Sequence, residues 1–431
     1  MSIATIKLPT SRRLVRGLRW WIISLVFLAT LISYIDRLSI SILAPVICSD
    51  LHLSNLAFAG INTWFLVSYS IGQSLLGKTQ DRFGTRRGYT VAMTVWSLAE
   101  AAHARARSIL SLSLARMGLG IGEAGQWPAA TKVAAEWFPV EERAVAMGII
   151  NTGASLGPVV AAPLLVFLQL RFGWQACFLV TGSLGFLWLG LWLLSYQLPE
   201  RHRRITSGER EYILAGQQEA ERTTAPRWRE LLRYPETWGI LLARFLGDPV
   251  WWFYLIWLPL YLHTKRGFSL REIGIFAWIP YLGAATGSLL GGWLSGRLLT
   301  RGWSLYRARG VAILFPSLLA PAGIFIGRTQ SPLAAMALIT VVLFSFQFWV
   351  NNVQTLPSDV FPTGFVGSIA GMAGTTGSFG AILFTLSTGW VTQYFSYQPM
   401  LLISSLLIPI GTLTLYPLVL RRQRPQAQVG A

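Results

Sequence analysis

Arg116-Met-Gly-Leu-Gly-Ile-Gly-Glu123-Ala-Gly-Gln-Trp127-Pro128 sits in an apolar run over about residues 109–130. A run of that length can cross a bilayer as one helix. Arg116 and Glu123 are seven residues apart, which puts them on one helix face, about two turns or ~10 Å from each other. Trp127 continues the stripe one turn on. A charge at membrane depth costs about 2.5–3.5 kcal/mol on insertion scales, so such side chains face a watery cavity or a partner. Gly118, Gly120, Gly122 and Gly125 admit a neighbouring helix or a ligand close to the backbone. Two readings follow: a carboxylate that takes up protons beside an arginine that holds an anion, or a structural ion pair buried between helices. The first is the working expectation.

Composition extends this reading to the whole chain. Of 431 residues, 53% are hydrophobic and only 13% charged, with a mean hydropathy of +0.50, against about 25% charged in soluble domains. A formal net charge of +18 would point to nucleic acid in a soluble protein. Here the basic residues gather in short loops, where they set membrane orientation, so the lipid bilayer is the expected partner and nucleic acid is not. Cys48 and Cys177 are the only cysteines. Both fall near the same predicted membrane face, where two unpaired apolar thiols are expected rather than a disulfide. No Cys/His cluster, zinc spacing, Gly-rich phosphate loop or nucleophile–base constellation occurs, so no metal, cofactor or enzymatic activity is expected. Ser11-Arg12-Arg13-Leu14 before an apolar run has the look of a twin-arginine leader. The run continues through Tyr34-Ile35-Asp36-Arg37 to Leu43 with no small-residue cleavage site, and reads as an uncleaved first span.

The pattern predicts twelve spans near residues 20–43, 57–76, 87–102, 109–130, 144–168 and 174–196, then 238–262, 274–299, 308–327, 332–356, 367–391 and 399–420. Ten-residue alternation is missing, which excludes a β-barrel; the class is an all-α membrane protein. Arg12, Arg13, Arg16, Arg19, Lys78, Arg82, Arg86, Arg87, Lys132, Arg143, the arginines between 201 and 233, Arg297, Arg301, Arg307, Arg309 and the 421–424 tail fall on one side. Only Arg105, Arg107, Arg171, Lys265, Arg266, Arg271 and Arg328 fall on the other. Both termini and the central loop are therefore expected in the cytoplasm, in a bacterial inner membrane. Residues 197–236 form the one long polar connection, read as a cytoplasmic linker with amphipathic helical pieces between bundles at 1–196 and 237–431.

The halves repeat weakly. Glu136-Trp-Phe138-Pro139 returns as Asp359-Val-Phe361-Pro362, and at the same offset Gly148, Thr152 and Gly157 fall on Gly371, Thr375 and Gly380. At a second offset Gly72, Leu75, Gly77 and Arg82 fall on Gly287, Leu290, Gly292 and Arg297. Parallel six-span repeats mark a two-bundle transporter with its site at the interface near the midplane.

Gly77-Lys-Thr-Gln-Asp81-Arg82-Phe-Gly84-Thr-Arg86-Arg87 resembles the G-x-x-x-D-R-x-G-R-R loop between spans two and three of the major facilitator superfamily. Asp81 can accept hydrogen bonds from a helix N-terminus or a nearby arginine, and Arg143 is the expected partner. The resemblance makes Gly77, Asp81, Arg82, Gly84 and Arg143 a conformational latch. Within that superfamily the chain resembles the anion:cation symporters, and among those the hexuronate and related sugar-acid carriers. Tyr34-Ile-Asp36-Arg37, Gly122 to Lys132, Glu136 to Ala144 and Asp248-Pro249-Val-Trp251-Trp252-Phe-Tyr254 carry that likeness. It implies proton-coupled uptake of sugar carboxylates, with Asp36, Arg37, Arg116 and Glu123 as the coupling centre.

The residues themselves support that chemistry. A guanidinium offers a carboxylate a bidentate fork, and proton coupling needs a carboxyl whose charge state follows its surroundings. Glu123 is the first expected proton carrier and Asp36 the second; the choice between Arg37 and Arg116 for the substrate stays open. Sugar hydroxyls need neutral hydrogen-bonding groups and flat faces, for which Tyr34, Tyr69, Trp127, Asn151, Ser155, Trp252, Tyr254, Gln347, Asn351, Asn352, Thr375 and Ser378 are candidates. Glu100 is expected in solvent beside Arg105. Asp248-Pro249 is expected to cap or break span seven, with Arg244 as the partner of Asp248. The expected protein is a monomeric alternating-access carrier importing a sugar-acid anion with protons. A uniporter and a membrane sensor of sugar acids are the alternatives, although the tail after Leu420 is short for a sensor's output module.

Overall fold

Lipid offers the backbone no hydrogen-bond partner, so apolar runs of this length close their bonds internally as helices. The computed structural model describes residues 17–53, 55–215, 228–268, 272, 276 and 278–421. In the first half the helices are α1 (Leu18–Ile42), α2 (Ala44–Asp50), α3 (Asn55–Phe83), α4 (Thr85–His103), α5 (Ile109–Glu123), α6 (Gln126–Trp137), α7 (Val140–Phe172) and α8 (Trp174–Ser195). The linker carries α9 (Ser207–Ala215) and α10 (Trp228–Leu231). The second half has α11 (Pro235–Arg266), α12 (Ile279–Thr300), α13 (Leu305–Leu319), α14 (Pro332–Val360), α15 (Thr363–Tyr394) and α16 (Gln398–Leu415). No strand occurs among the described residues. The twelve crossing segments are α1, α3, α4, α5 with α6, α7 and α8, then α11 to α16. Among the described residues, eight of them are long and apolar enough to span a membrane on length and composition alone. The other four (α3, α4, α5 with α6, and α12) are diluted by glycine, serine, threonine and end charges.

Three expectations need correction or limitation. The fourth segment is not one helix: α5 ends at Glu123 and α6 begins at Gln126. The Ala124–Gly125 turn seats Gly125 against α4, where a Cβ would lie 2.7 Å from that of Ala92, and the Gly125 carbonyl accepts from Gln80 Nε2 at 2.8 Å. The seventh segment, expected to break at Asp248-Pro249, runs through as the single helix α11. Arg12, Arg13, Arg16, Arg271, Arg422, Arg424 and linker residues 216–227 lie outside the described residues. Both cysteines are free thiols.

The two halves meet along α3 against α15 and α7 against α12, and glycine makes both contacts. A Cβ on Gly77 would lie 2.2 Å from the Gly367 carbonyl oxygen; one on its repeat mate Gly292 would lie 2.3 Å from that of Ala144, the mate of Gly367. A Cβ on Gly371 would lie 2.3 Å from the Gln73 carbonyl oxygen, and one on its mate Gly148 would lie 2.8 Å from that of Ser288. The sequence offsets therefore map one inter-bundle contact onto the other. Such crossings have no slack, so Gly371→Val should wedge α15 from α3 on the linker side. Cysteine-labelling of linker-face positions should rise, and transport should fall at least about tenfold, since the closed packing is bistable rather than elastic.

That linker face is locked by polar contacts as well. Asp81 accepts from the amides of Gly367 at 3.1 Å and Ser368 at 2.6 Å, and from Lys132 Nζ at 2.5 Å. Arg143, expected beside Asp81, instead donates to the Ser358 carbonyl and lies 3.7 Å from Asp359, which Arg309 holds at 2.7 Å. The geometry separates them because Asp81 is turned into α15 while Arg143 points into α14. Gly84 has φ +84, a left-handed value that suits glycine at the turn between α3 and α4. Arg82 lies with its guanidinium 5.3 Å from the Phe83 ring. The linker docks on the first half: Glu209 of α9 accepts from the Leu18 and Arg19 amides at 3.0 and 3.2 Å, placing an acid at the N-terminus of α1.

Candidate functional site

Between the halves lies a central cavity to which both contribute. The first half supplies Tyr34 and Arg37 from α1, Tyr69 and Gln73 from α3, Trp127 from α6 and Asn151 from α7. The second supplies Arg244, Asp248, Trp251 and Trp252 from α11, Gln347 and Gln354 from α14, and Ser378 from α15.

Arg37 anchors one end. Its Nε and Nη2 donate to Glu123 Oε2 at 3.1 and 2.8 Å. Its guanidinium carbon is 4.9 Å from the Tyr34 ring centroid, 4.8 Å from Tyr69, 5.5 Å from Phe65 and 5.6 Å from Trp252. Four rings box the cation, holding it by its faces while its N–H edge stays aimed at a carboxylate. Glu123 is fully buried and Arg37 only 7% exposed, so neither charge survives without the other or a replacement. Across the cavity Arg244 holds Asp248 Oδ2 through Nε at 3.0 Å and Nη2 at 2.7 Å. Two ion pairs, one from each half, thus border the same space.

The span-eleven glycines shape the floor. A Cβ on Gly374 would lie 1.8 Å from Gln73 Oε1, and one on Gly377 2.0 Å from Asp248 Oδ2. Gln73 Nε2 donates to Ser378 at 2.9 Å, and Asn151 Nδ2 to Gln354 Oε1 at 2.9 Å. Both bonds bridge the halves.

Arg116 and Asp36 are set back from this cavity, deeper in the first half. Arg116 donates through Nη2 to Asn62 at 3.1 Å and lies 4.6 Å over Phe65. Asp36 accepts from Trp96 Nε1 at 2.7 Å. Arg116 and Glu123 do not form an ion pair; α5 turns the first toward Asn62 and Phe65 of α3 and the second toward Arg37 of α1. Glu100, expected in solvent, is fully buried and accepts from Thr181 at 3.0 Å, because α4 packs that face onto α5 and α8.

Several polar candidates are not among the residues that line this cavity. Asn352 donates to the carbonyls of Gly291 at 3.1 Å and Phe348 at 3.0 Å. Asn351 donates to Ala144 and Ser288 carbonyls at 2.8 and 3.2 Å. Thr375 donates to the Ser70 carbonyl at 2.6 Å, Ser155 is buried, and Tyr254 packs its ring on Phe253. Gln73, Gln354 and Trp251 line the cavity without having been singled out from sequence. Gln73 lies one turn beyond Tyr69, and Gln354 two turns beyond Gln347, so the stripes were there to be read. Asn352→Ala should cost about 1 kcal/mol of stability, typical of an interhelical bond in a membrane. Substrate affinity should stay within about twofold; a thermal-shift assay read beside a binding isotherm checks both.

Comparison with known proteins adds the context. The sequence model of the Major Facilitator Superfamily matches residues 26–385. The chain is 32% identical over 423 residues to the hexuronate transporter of Escherichia coli K12, covering 97% of each. It is 39% identical over 286 residues to the galacturonate transporter of Dickeya chrysanthemi, covering 65% of this chain and 82% of that one. Among solved structures, the fold is similar to that of the proton:xylose symporter XylE, with a TM-score of 0.74 at 16% identity over 94% of this chain and 96% of that one.

Proposed function

Because the chain belongs to the Major Facilitator Superfamily, whose members move solutes rather than transform them, we propose that it imports a sugar-acid anion together with protons. The observation that carries this reading is the Arg37–Glu123 pair at the border of a cavity lined by both halves. A substrate carboxylate fits the same guanidinium fork. When it takes Arg37, Glu123 is left buried without its cation and is neutralised by a proton. Anion and proton then occupy the site together, with no net charge added by the pair. Tyr34, Tyr69, Trp127 and Trp252 offer flat faces to a sugar ring, and Gln73, Asn151, Gln347 and Gln354 offer donors and acceptors to its hydroxyls. The relatives named for hexuronate and galacturonate transport support a uronate or related acid.

In this reading the bundles at 1–196 and 237–431 rock about the glycine crossings, and the Asp81 and Asp359 clusters latch the linker face. The distribution of basic residues supports a cytoplasmic side for that face and both termini, and the relatives from Escherichia coli support a bacterial inner membrane. The working unit is a monomer. Radiolabelled galacturonate uptake into proteoliposomes, with and without an inward proton gradient, tests it. Concentrative uptake that collapses when the gradient is dissipated is expected. Uptake indifferent to the gradient would leave a uniporter, and binding without uptake would leave a sensor.

A further inference from the structure

Behind the cavity the first half buries a second polar chamber, and its charges do not balance. Asp36, Glu100 and Glu123 are three carboxylates, all at most 1% exposed. Arg37 and Arg116 are the two cations among them, at 7% and 2%. Only Arg37 contacts a carboxylate within ion-pair distance; Arg116 reaches Asn62 instead. Left fully ionised, the chamber would hold a net negative charge away from water, which costs far more than neutralising one member.

His103, whose Nδ1 lies 3.9 Å from Glu100 Oε2, is not the missing cation. Its Nδ1 lies 2.8 Å from the Ala99 carbonyl and 3.3 Å from that of Glu100, so Nδ1 carries the hydrogen. Its buried Nε2 has no hydrogen-bond partner, an arrangement suited to a lone pair and not to a charged donor. One carboxyl must hold a proton, and the partners choose between them. Glu123 takes two bonds from Arg37 and is held charged. Asp36 takes the Trp96 indole N–H, a group that can only donate and so also favours the carboxylate. Glu100 faces the Thr181 hydroxyl at 3.0 Å, which can donate to a carboxylate or accept from a carboxylic acid with equal ease. One oxygen of each carboxyl (Asp36 Oδ1, Glu100 Oε2 and Glu123 Oε1) and Arg116 Nε and Nη1 are buried without hydrogen-bond partners, so the choice rests on the partnered oxygens, and only that of Glu100 faces a group that can also accept.

We propose that Glu100 is the resident proton site of the carrier, a reserve behind the exchange at Arg37 and Glu123. This inference rests on the symport reading above. In the resting state Glu100 is the acid, Asp36 and Glu123 are carboxylates, and the two arginines balance them. When a substrate carboxylate takes Arg37, the Glu100 proton is transferred within the chamber to the Glu123 carboxylate. Glu100, now ionised beside Arg116, is reprotonated from the solvent side. One O–H bond breaks at Glu100, one forms at Glu123, and the incoming proton replaces the one that left. The His103 and Arg116 groups position Glu100 without carrying the proton themselves.

Glu100→Gln keeps the Thr181 bond and the neutral charge of the resting state but cannot release a proton. In proteoliposomes it should lower the ratio of proton-driven galacturonate accumulation to galacturonate counterflow at least about tenfold, while Glu100→Asp restores that ratio to within about threefold. Glu100→Asp should also shift the pH midpoint of driven uptake by at least about half a unit, a readout that a purely structural carboxyl would not move and that serves if the glutamine variant does not fold. A glutamine variant with the wild-type ratio, or an aspartate variant with the wild-type midpoint, would overturn the proposal. So would accumulation driven by a sodium gradient at equal pH, which would give the missing positive charge to a metal cation. Wild-type protein that exchanges but never concentrates galacturonate would instead defeat the symport reading, and that is seen before any substitution is made.

Discussion

Glu123→Gln should abolish proton-driven accumulation of galacturonate, by about a hundredfold or more at saturating gradient, while leaving binding and counterflow. The glutamine is isosteric with a protonated glutamate and can still donate toward the cavity, but it cannot lose a proton when the substrate leaves. Arg37 then faces a neutral amide in every state, so the empty carrier no longer has to discharge a proton before it resets. Exchange of labelled for unlabelled substrate needs only the loaded forms and should continue. A Glu123→Gln carrier that still concentrates substrate would move the coupling elsewhere.

Arg37→Lys is the second large effect, and it falls on binding. The two bonds from Arg37 to Glu123 Oε2, at 3.1 and 2.8 Å, come from one planar fork, and four aromatic rings lie within 5.6 Å of its carbon. An ammonium keeps the charge but presents a point donor, so it loses the second bond and the face-on stacking. Losing one charge-assisted hydrogen bond costs about 1.5–3 kcal/mol, or a rise in Kd of roughly tenfold or more. Arg116→Lys should cost less in affinity, because Arg116 lies behind the cavity lining and reaches Asn62 instead. Isothermal titration of the two purified variants with galacturonate separates them: equal losses would mean that the substrate engages both arginines.

Much of the architecture was legible because lipid enforces it. Twelve apolar runs have no option but helix, and the glycine repeats recorded where helices of opposite halves must touch. Gly77 with Gly367 and Gly292 with Ala144 are the physical content of a similarity that in sequence is only a few letters long. The breaks were less legible. The Ala124–Gly125 turn depends on contact with Ala92 and Gln80, neither of which the local pattern around Arg116 contains.

The site divides the same way. Periodicity shows that a polar residue lies on a stripe, but not whether that stripe meets a cavity or the next helix. On α14, Gln347 and Gln354 reach the cavity while Asn351 and Asn352, between them, spend their amides on carbonyls of α12 and neighbouring helices. Glu100 read as a solvent-facing end charge because its burial is created by α5 and α8, not by its own neighbours. The Arg37–Glu123 pair joins residues 86 apart in sequence; spacing within one helix favoured Arg116 for Glu123, and only the packing of α1 against the bundle reassigns it.

The account stands on the exchange of a proton for an anion at Arg37 and Glu123. The most direct measurement is the proton count on binding: galacturonate added to purified carrier in weakly buffered detergent solution near neutral pH, followed with a pH indicator. The account predicts net proton uptake that saturates with substrate and is lost in Glu123→Gln although binding persists. Binding with no proton uptake in the wild-type protein, or uptake unchanged by that substitution, would contradict it.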